Sequence, residues 1–137
     1  MPADAVTTSA TIRATIRATI AAYCAAFSAG DEAAYVSLFA PDGWIEDPVG
    51  TPRHQGAAAL AAFFRQSASM AESIELRTTG PVRVAGAEAA FPMQARPVLG
   101  GTTYVVDIID VMTFDEDGRI TTMRAFWDPA ELRPADD

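Results

Sequence analysis

Apolar residues recur at steps of three and four over residues 7–29, at Ile12, Ile16, Ile20, Tyr23, Cys24 and Phe27. That period predicts an amphipathic helix. Gly30 suits its C-cap, and Asp31 can cap a second helix that runs through Tyr35, Leu38 and Phe39 and stops at Pro41-Asp42-Gly43. Residues 44–47 read as a short extended piece, with Pro48 keeping Asp47 out of the helical region, and 49–55 as a loop. A third helix over 56–70 presents Leu60, Phe63 and Phe64. From residue 74 onward strands alternate with turns, and strands are predicted at 74–79, 82–84, 88–97, 103–114 and 119–128. Gly80-Pro81, Ala85-Gly86, Gly100-Gly101 and Asp117-Gly118 are the breaks between them. Three helices followed by a mainly antiparallel meander predict one α+β domain over 1–137, with loose tails at 1–6 and 130–137. The sheet is expected to curl into a half-open cone around the helices, with Tyr23, Asp110, Met112, Met123 and Trp127 facing one cavity.

The strand over 103–114 carries an anomaly. Alternation puts Tyr104, Val106, Ile108, Asp110, Met112 and Phe114 on one face, and the carboxyl of Asp110 is the one polar acid in that row. Such a group must find a cation, find hydrogen bonds or take up a proton. Keeping an Asp protonated at pH 7 from a reference pKa near 4 costs about 4 kcal/mol, at about 1.4 kcal/mol per unit. Burying it ionised and unpaired costs several kcal/mol, with an idealised limit near ~20. The neutral acid is therefore expected unless an arginine reaches it, and Arg124 on the following strand is the candidate partner. Asp107 falls on the opposite face and is expected to be solvated or ion-paired.

Composition narrows the chemistry. The net charge of −8 argues against nucleic acid or an anionic membrane as the main partner. No apolar run approaches membrane-spanning length, and no signal peptide is evident. A single cysteine, Cys24, excludes an intrachain disulfide and suits the cytoplasm. All ten basic side chains are arginine, which excludes a lysine Schiff base and a Walker A loop. One histidine and one cysteine cannot build a zinc site of the usual kind. Carboxylate, tyrosine and arginine chemistry in an apolar pocket remains, with no metal or cofactor expected.

Taken one at a time, the candidates have plain structural readings: Tyr23 as a core tyrosine, Asp47 as a turn residue, Asp110 as half of an ion pair. Trp127 and the methionines read as core, Cys24 as a small buried hydrophobe and His54 as a solvated loop residue. Together they carry a resemblance. Tyr23-Cys24-Ala25-Ala26-Phe27-Ser28-Ala29-Gly30-Asp31, Phe39-Ala40-Pro41-Asp42 leading to Glu46-Asp47-Pro48-Val49-Gly50, Glu88-Ala89-Ala90-Phe91, Ile109-Asp110-Val111-Met112 and Met123-Arg124-Ala125-Phe126-Trp127 resemble the Δ5-3-ketosteroid isomerases. These lie within the nuclear-transport-factor-2-like, cystatin-like superfamily.

The resemblance implies an isomerase that moves the double bond of a 3-oxo-Δ5-steroid to the conjugated Δ4 position through a dienolate. It implies Asp47 as general base, and Tyr23 with protonated Asp110 as the oxyanion hole, a division of carboxyl roles known from that family. Phe64, Met112 and Trp127 would pack on the steroid. It also implies a homodimer packed through the sheets. Phe39 and Phe64 stand where some family members carry tyrosines that support the oxyanion-hole tyrosine, so the Tyr23 hydroxyl is expected to lack that relay. The competing readings are a polyketide-cyclase-like enzyme of the same fold and a non-catalytic small-molecule-binding module. A limonene-epoxide-hydrolase-like role fits less well, because no Asp-Arg-Asp arrangement can be placed. A dehydratase relying on two histidines is excluded by the single His54.

Overall fold

A computed structural model describes residues 3–136. Helix α1, Ala3–Ala29, buries Ile16, Ile20, Tyr23 and Ala26, spacings of four, three and three that hold one stripe against the sheet. It ends at Gly30, whose φ of 69° is the left-handed region open to glycine. Asp31 caps α2, Glu32–Ser37, by accepting from the Ala34 amide at 3.1 Å. Helix α3, Ala57–Ser69, buries Leu60 and Phe64.

The strands are β1 (Phe39–Glu46), β2 (His54–Gln55), β3 (Ser73–Thr78), β4 (Arg83–Ala85), β5 (Glu88–Leu99), β6 (Thr102–Phe114), β7 (Ile120–Phe126) and β8 (Arg133–Pro134). Their order is β2-β1-β7-β6-β5-β3, with β4 on β5 and β8 on β6. The result is a curved, unclosed sheet with helices packed against it, the expected α+β cone. The core lies on the inner face, where Ile45, Phe91, Met93, Met112, Ile120 and Met123 are 2 % exposed or less. Two contacts fix α1 against the sheet. Ser28 Oγ accepts from the Leu76 amide at 2.9 Å, and Thr19 Oγ1 donates to the Gly118 carbonyl at 2.9 Å.

Three expectations change. Phe39 does not end a helix; it opens β1, which pairs in parallel with β7 at Phe39↔Ile120. The sheet is therefore mixed, and that pairing spans too much sequence for local periodicity to reveal. His54–Gln55 is not pure loop but pairs with Trp44–Ile45. Parts of the expected tails are also in regular elements. Residues 3–6 are helical, while 1–2 and 137 lie outside the described residues. Pro129–Glu131 forms a 3-10 turn, and β8 pairs with Tyr104 and Val105 of β6.

Candidate active site

Strand register decides the fate of Asp110. It stands opposite Ala125 on β7 and Phe91 on β5, and is 2 % exposed. Arg124 stands one position along, opposite Val111, so it projects from the other face of the sheet. There its Nε donates to Glu46 Oε1 at 2.9 Å. Among the described residues no salt bridge to Asp110 is found, and the Arg124 pairing considered from sequence is ruled out by one residue of register. Burial, and then the nearby Asp47 charge, push the Asp110 pKa well above the usual carboxylate range. Asp107, on the outer face, pairs with Arg133 at 3.1 Å and accepts from Gln94 at 2.9 Å.

Tyr23 follows Ile20 by one turn on the buried stripe of α1. It is 3 % exposed, and its ring lies 5.4 Å from that of Tyr35. Burial raises its pKa well above the ordinary phenol value, helped by Tyr35, Asp110 and Asp47. Tyr23 and Asp110 are thus two groups biased toward their protonated, donating forms. They border one cavity of about 560 Å³, a volume within the range of small-molecule sites.

Asp47 follows the end of β1 and borders the same cavity, half-buried. Trp127 Nε1 donates to its Oδ1 at 2.6 Å. The Val49 amide donates to the Ala125 carbonyl at 2.8 Å, which ties the loop after Asp47 to the strand facing Asp110. Burial raises the Asp47 pKa, while the Trp127 bond and the charge of His54 pull it down. Burial is opposed at Asp47 and reinforced at Asp110, so their pKa values differ in environment as acid and base roles require. On balance the Asp47 pKa stays above the usual carboxylate value, and the Trp127 bond, of a kind that contributes about 1.5–3 kcal/mol, limits that rise.

The remaining assignments divide. Trp127 borders the cavity. Phe64 and Met112, expected on the steroid, lie in the core instead, 3 % and 0 % exposed. Phe64 packs on Phe27 and Tyr35 at 5.3 and 5.0 Å. Met123, expected to face the cavity, is also core. Met112 and Met123 share the inner sheet face with Asp110, but neither they nor Phe64 border the cavity. The cavity wall is made instead by Met93, Ala95, Val106 and Ile108 on one side and by His54, Phe63, Gln66 and Ser67 on another. His54 is corrected from solvated loop to wall residue, its ring 5.0 Å from Phe63. Cys24 is half-buried, its thiol pushed up to about 11 by burial and then by Asp110.

Tyr35 was legible in the sequence only as a helical apolar position. It is 0 % exposed among the rings of Tyr23, Phe27, Phe39 and Phe64, and its hydroxyl has no hydrogen-bond partner among the described residues. An unpaired buried hydroxyl costs about 1–3 kcal/mol. Among the described residues no three His, Cys, Asp or Glu side chains converge to hold a metal ion, and no helix is long and apolar enough to cross a membrane.

The chain is similar to known proteins over most of its length. A family profile described as "SnoaL-like domain" matches residues 20–123. The chain is 45 % identical over 103 residues to a steroid Delta-isomerase of Nocardioides simplex, covering 75 % of this chain and 81 % of that protein. It is 34 % identical over 127 residues to the epoxide hydrolase LasB of Streptomyces lasalocidi, covering 80 % of this chain but only 41 % of that protein. The solved structure of the epoxide hydrolase/cyclase-like enzyme SalBIII, described for pyran ring formation in the polyether salinomycin, superposes with a TM-score of 0.79 at 26 % identity. That match covers 90 % of this chain and 98 % of the other.

Proposed function

The chain belongs to the SnoaL-like domain family and to that of the steroid Delta-isomerase it matches over most of its length; from that standing we propose that it moves the double bond of 3-oxo-Δ5-steroids to the conjugated Δ4 position. The observation that carries the reading is Asp110, 2 % exposed and biased toward its protonated form, beside a cavity shared with Tyr23 and Asp47. Asp47, ionised and held by Trp127, takes a proton from the carbon between the ketone and the double bond. The electron pair moves onto the ketone oxygen, giving a dienolate. The Tyr23 hydroxyl and the Asp110 carboxylic acid donate to that oxygen, a preorganised stabilisation of developing charge. Asp47 then returns the same proton two carbons along, so the reaction is redox-neutral and balanced. The residues of this chain supply both the base and the donors.

The test is to mix the purified protein with a Δ5-3-ketosteroid and follow the conjugated enone by ultraviolet absorbance. Turnover is expected; its absence at micromolar enzyme sinks the reading. Asp47→Asn should lower turnover by about 10²–10⁴-fold, the usual worth of a general base, while a steroid phenol still binds. Equal activity in that variant removes Asp47 as the base.

The likeness to LasB and SalBIII favours a second reading of the same groups. In it Asp110 protonates an epoxide oxygen while Asp47 takes the proton of the attacking hydroxyl. Turnover of an epoxy-alcohol without turnover of the steroid selects it. The proposal extends to a homodimer packed through the outer sheet face. There Ile109 and Phe126 stand paired across β6 and β7, 46 % and 42 % exposed. A cytoplasmic site of action, as the lone thiol suggests, is part of the same proposal and is checked by cell fractionation.

A further inference from the structure

Of all the buried polar side chains described, one has no use in the reaction above and no partner that satisfies it: the hydroxyl of Tyr35. Four aromatic rings enclose its own ring, at centroid distances of 5.0 to 5.9 Å. Those contacts would hold a phenylalanine equally well. The hydroxyl therefore adds nothing to the packing and is a net cost to the fold unless it acts on something. Tyr35 does not border the cavity; it lies behind Tyr23, which does.

We propose that Tyr35 is a positioning residue for Tyr23, its hydroxyl donating to the Tyr23 oxygen while Tyr23 donates to the substrate oxyanion. The Tyr35 ring lies 5.4 Å from that of Tyr23, and its hydroxyl is buried without a partner. Burial raises the Tyr35 pKa, with Tyr23 opposing that rise, and Tyr35 adds to the burial that raises the pKa of Tyr23. The hydrogen bond between them is not formed in this structure, where the Tyr35 hydroxyl has no partner; catalytic hydrogen bonds often tighten only when the reacting state forms. As Tyr23 begins to yield its proton to the dienolate oxygen, negative charge builds on its own oxygen. A second donor in a cage of aromatic rings is then worth more than in water, because no solvent screens the bond. The helix α2 that carries Tyr35 is short, but its N-terminal cap by Asp31 and the packing of Tyr35 against Phe39 and Phe64 hold its ring in place. The supporting hydroxyl thus comes from α2, while Phe39 and Phe64 supply only rings.

The inference rests on the isomerase reading, and one set of measurements separates the two. Tyr35→Phe should lower kcat about 10- to 10²-fold with KM little changed, the size of one charge-assisted hydrogen bond. Its thermal midpoint should match or exceed that of the wild type, because the removed hydroxyl was unsatisfied. In a Tyr23→Phe background the same substitution should leave kcat unchanged. The chain has three tyrosines, so ring-labelled protein gives three carbon resonances at the hydroxyl-bearing position. The Tyr23 resonance should move in Tyr35→Phe, whose ring current is nearly that of tyrosine. In the wild-type chain, both the Tyr23 and Tyr35 resonances should move when a steroid phenol binds. A Tyr35→Phe chain with wild-type kcat overturns the inference alone, as does a Tyr35 resonance indifferent to the bound phenol. An inactive wild-type chain overturns the isomerase reading, and this role with it.

Discussion

Replacing Asp110 with asparagine separates its role as a buried acid from any role as a buried ion. The amide has nearly the same shape, cannot ionise, and keeps an N–H where the acid has an O–H. Asp110 is 2 % exposed between Phe91 and Ala125, and burial first and Asp47 second hold its folded pKa well above the ordinary value. The sign follows from linkage. A folded pKa raised above the unfolded one gives stability that is fully present below the unfolded value, near 4, and lost as pH rises through the folded value. The wild type therefore loses about 1.4 kcal/mol relative to Asp110→Asn for each pH unit over which the unfolded chain has released the proton and the folded chain keeps it. Urea unfolding followed by circular dichroism at pH 5, 6, 7 and 8 measures the difference. The variant should gain steadily on the wild type and be at least as stable at pH 8. Catalysis should move the other way. Losing an oxyanion donor costs about 10²–10³-fold in kcat, and the retained amide donor should hold the loss to the lower end. Arg124→Ala is the control: its guanidinium serves Glu46 on the outer face, so the pH dependence should survive it. An Asp110→Asn chain that loses stability relative to wild type as pH rises would refute the reasoning, because that trend belongs to an ionised, paired carboxylate.

Trp127→Phe removes the 2.6 Å bond that holds the Asp47 carboxylate down against its burial. The acid limb of the kcat/KM profile should shift to higher pH, and an unmoved limb would deny Trp127 that role. For the proposed dimer, Ile109→Asp should halve the mass measured by light scattering at micromolar concentration, and a wild type that is already monomeric removes that part of the proposal.

Much of this protein is local and therefore readable along the chain. The stripe Ile16, Ile20 and Tyr23 specifies α1 because helical period depends only on near neighbours, and Gly30 ends it because only glycine enters the left-handed region freely. Alternation alone put Asp110 on the apolar face of β6. What alternation could not supply was its partner. The β6–β7 register sends Arg124 to Glu46 on the outer face and leaves Ala125 beside Asp110; a shift of one residue would have reversed that, since successive side chains point to opposite faces. Depth was equally hidden. Phe64 and Met112 have the chemistry of pocket residues but are covered by their neighbours, while His54 reaches the wall through a two-residue pairing with β1. Phe39 became a strand because Ile120 awaited it in a parallel pair formed across most of the chain. Tyr35 carried no signal beyond helical spacing, and its interest lies wholly in its burial beside Tyr23 without a partner for its hydroxyl. The sequence by itself determined the elements, their faces and a carboxyl that must be explained; the tertiary structure decided which groups share a cavity, because distance between remote residues is set by register and packing depth and not by period.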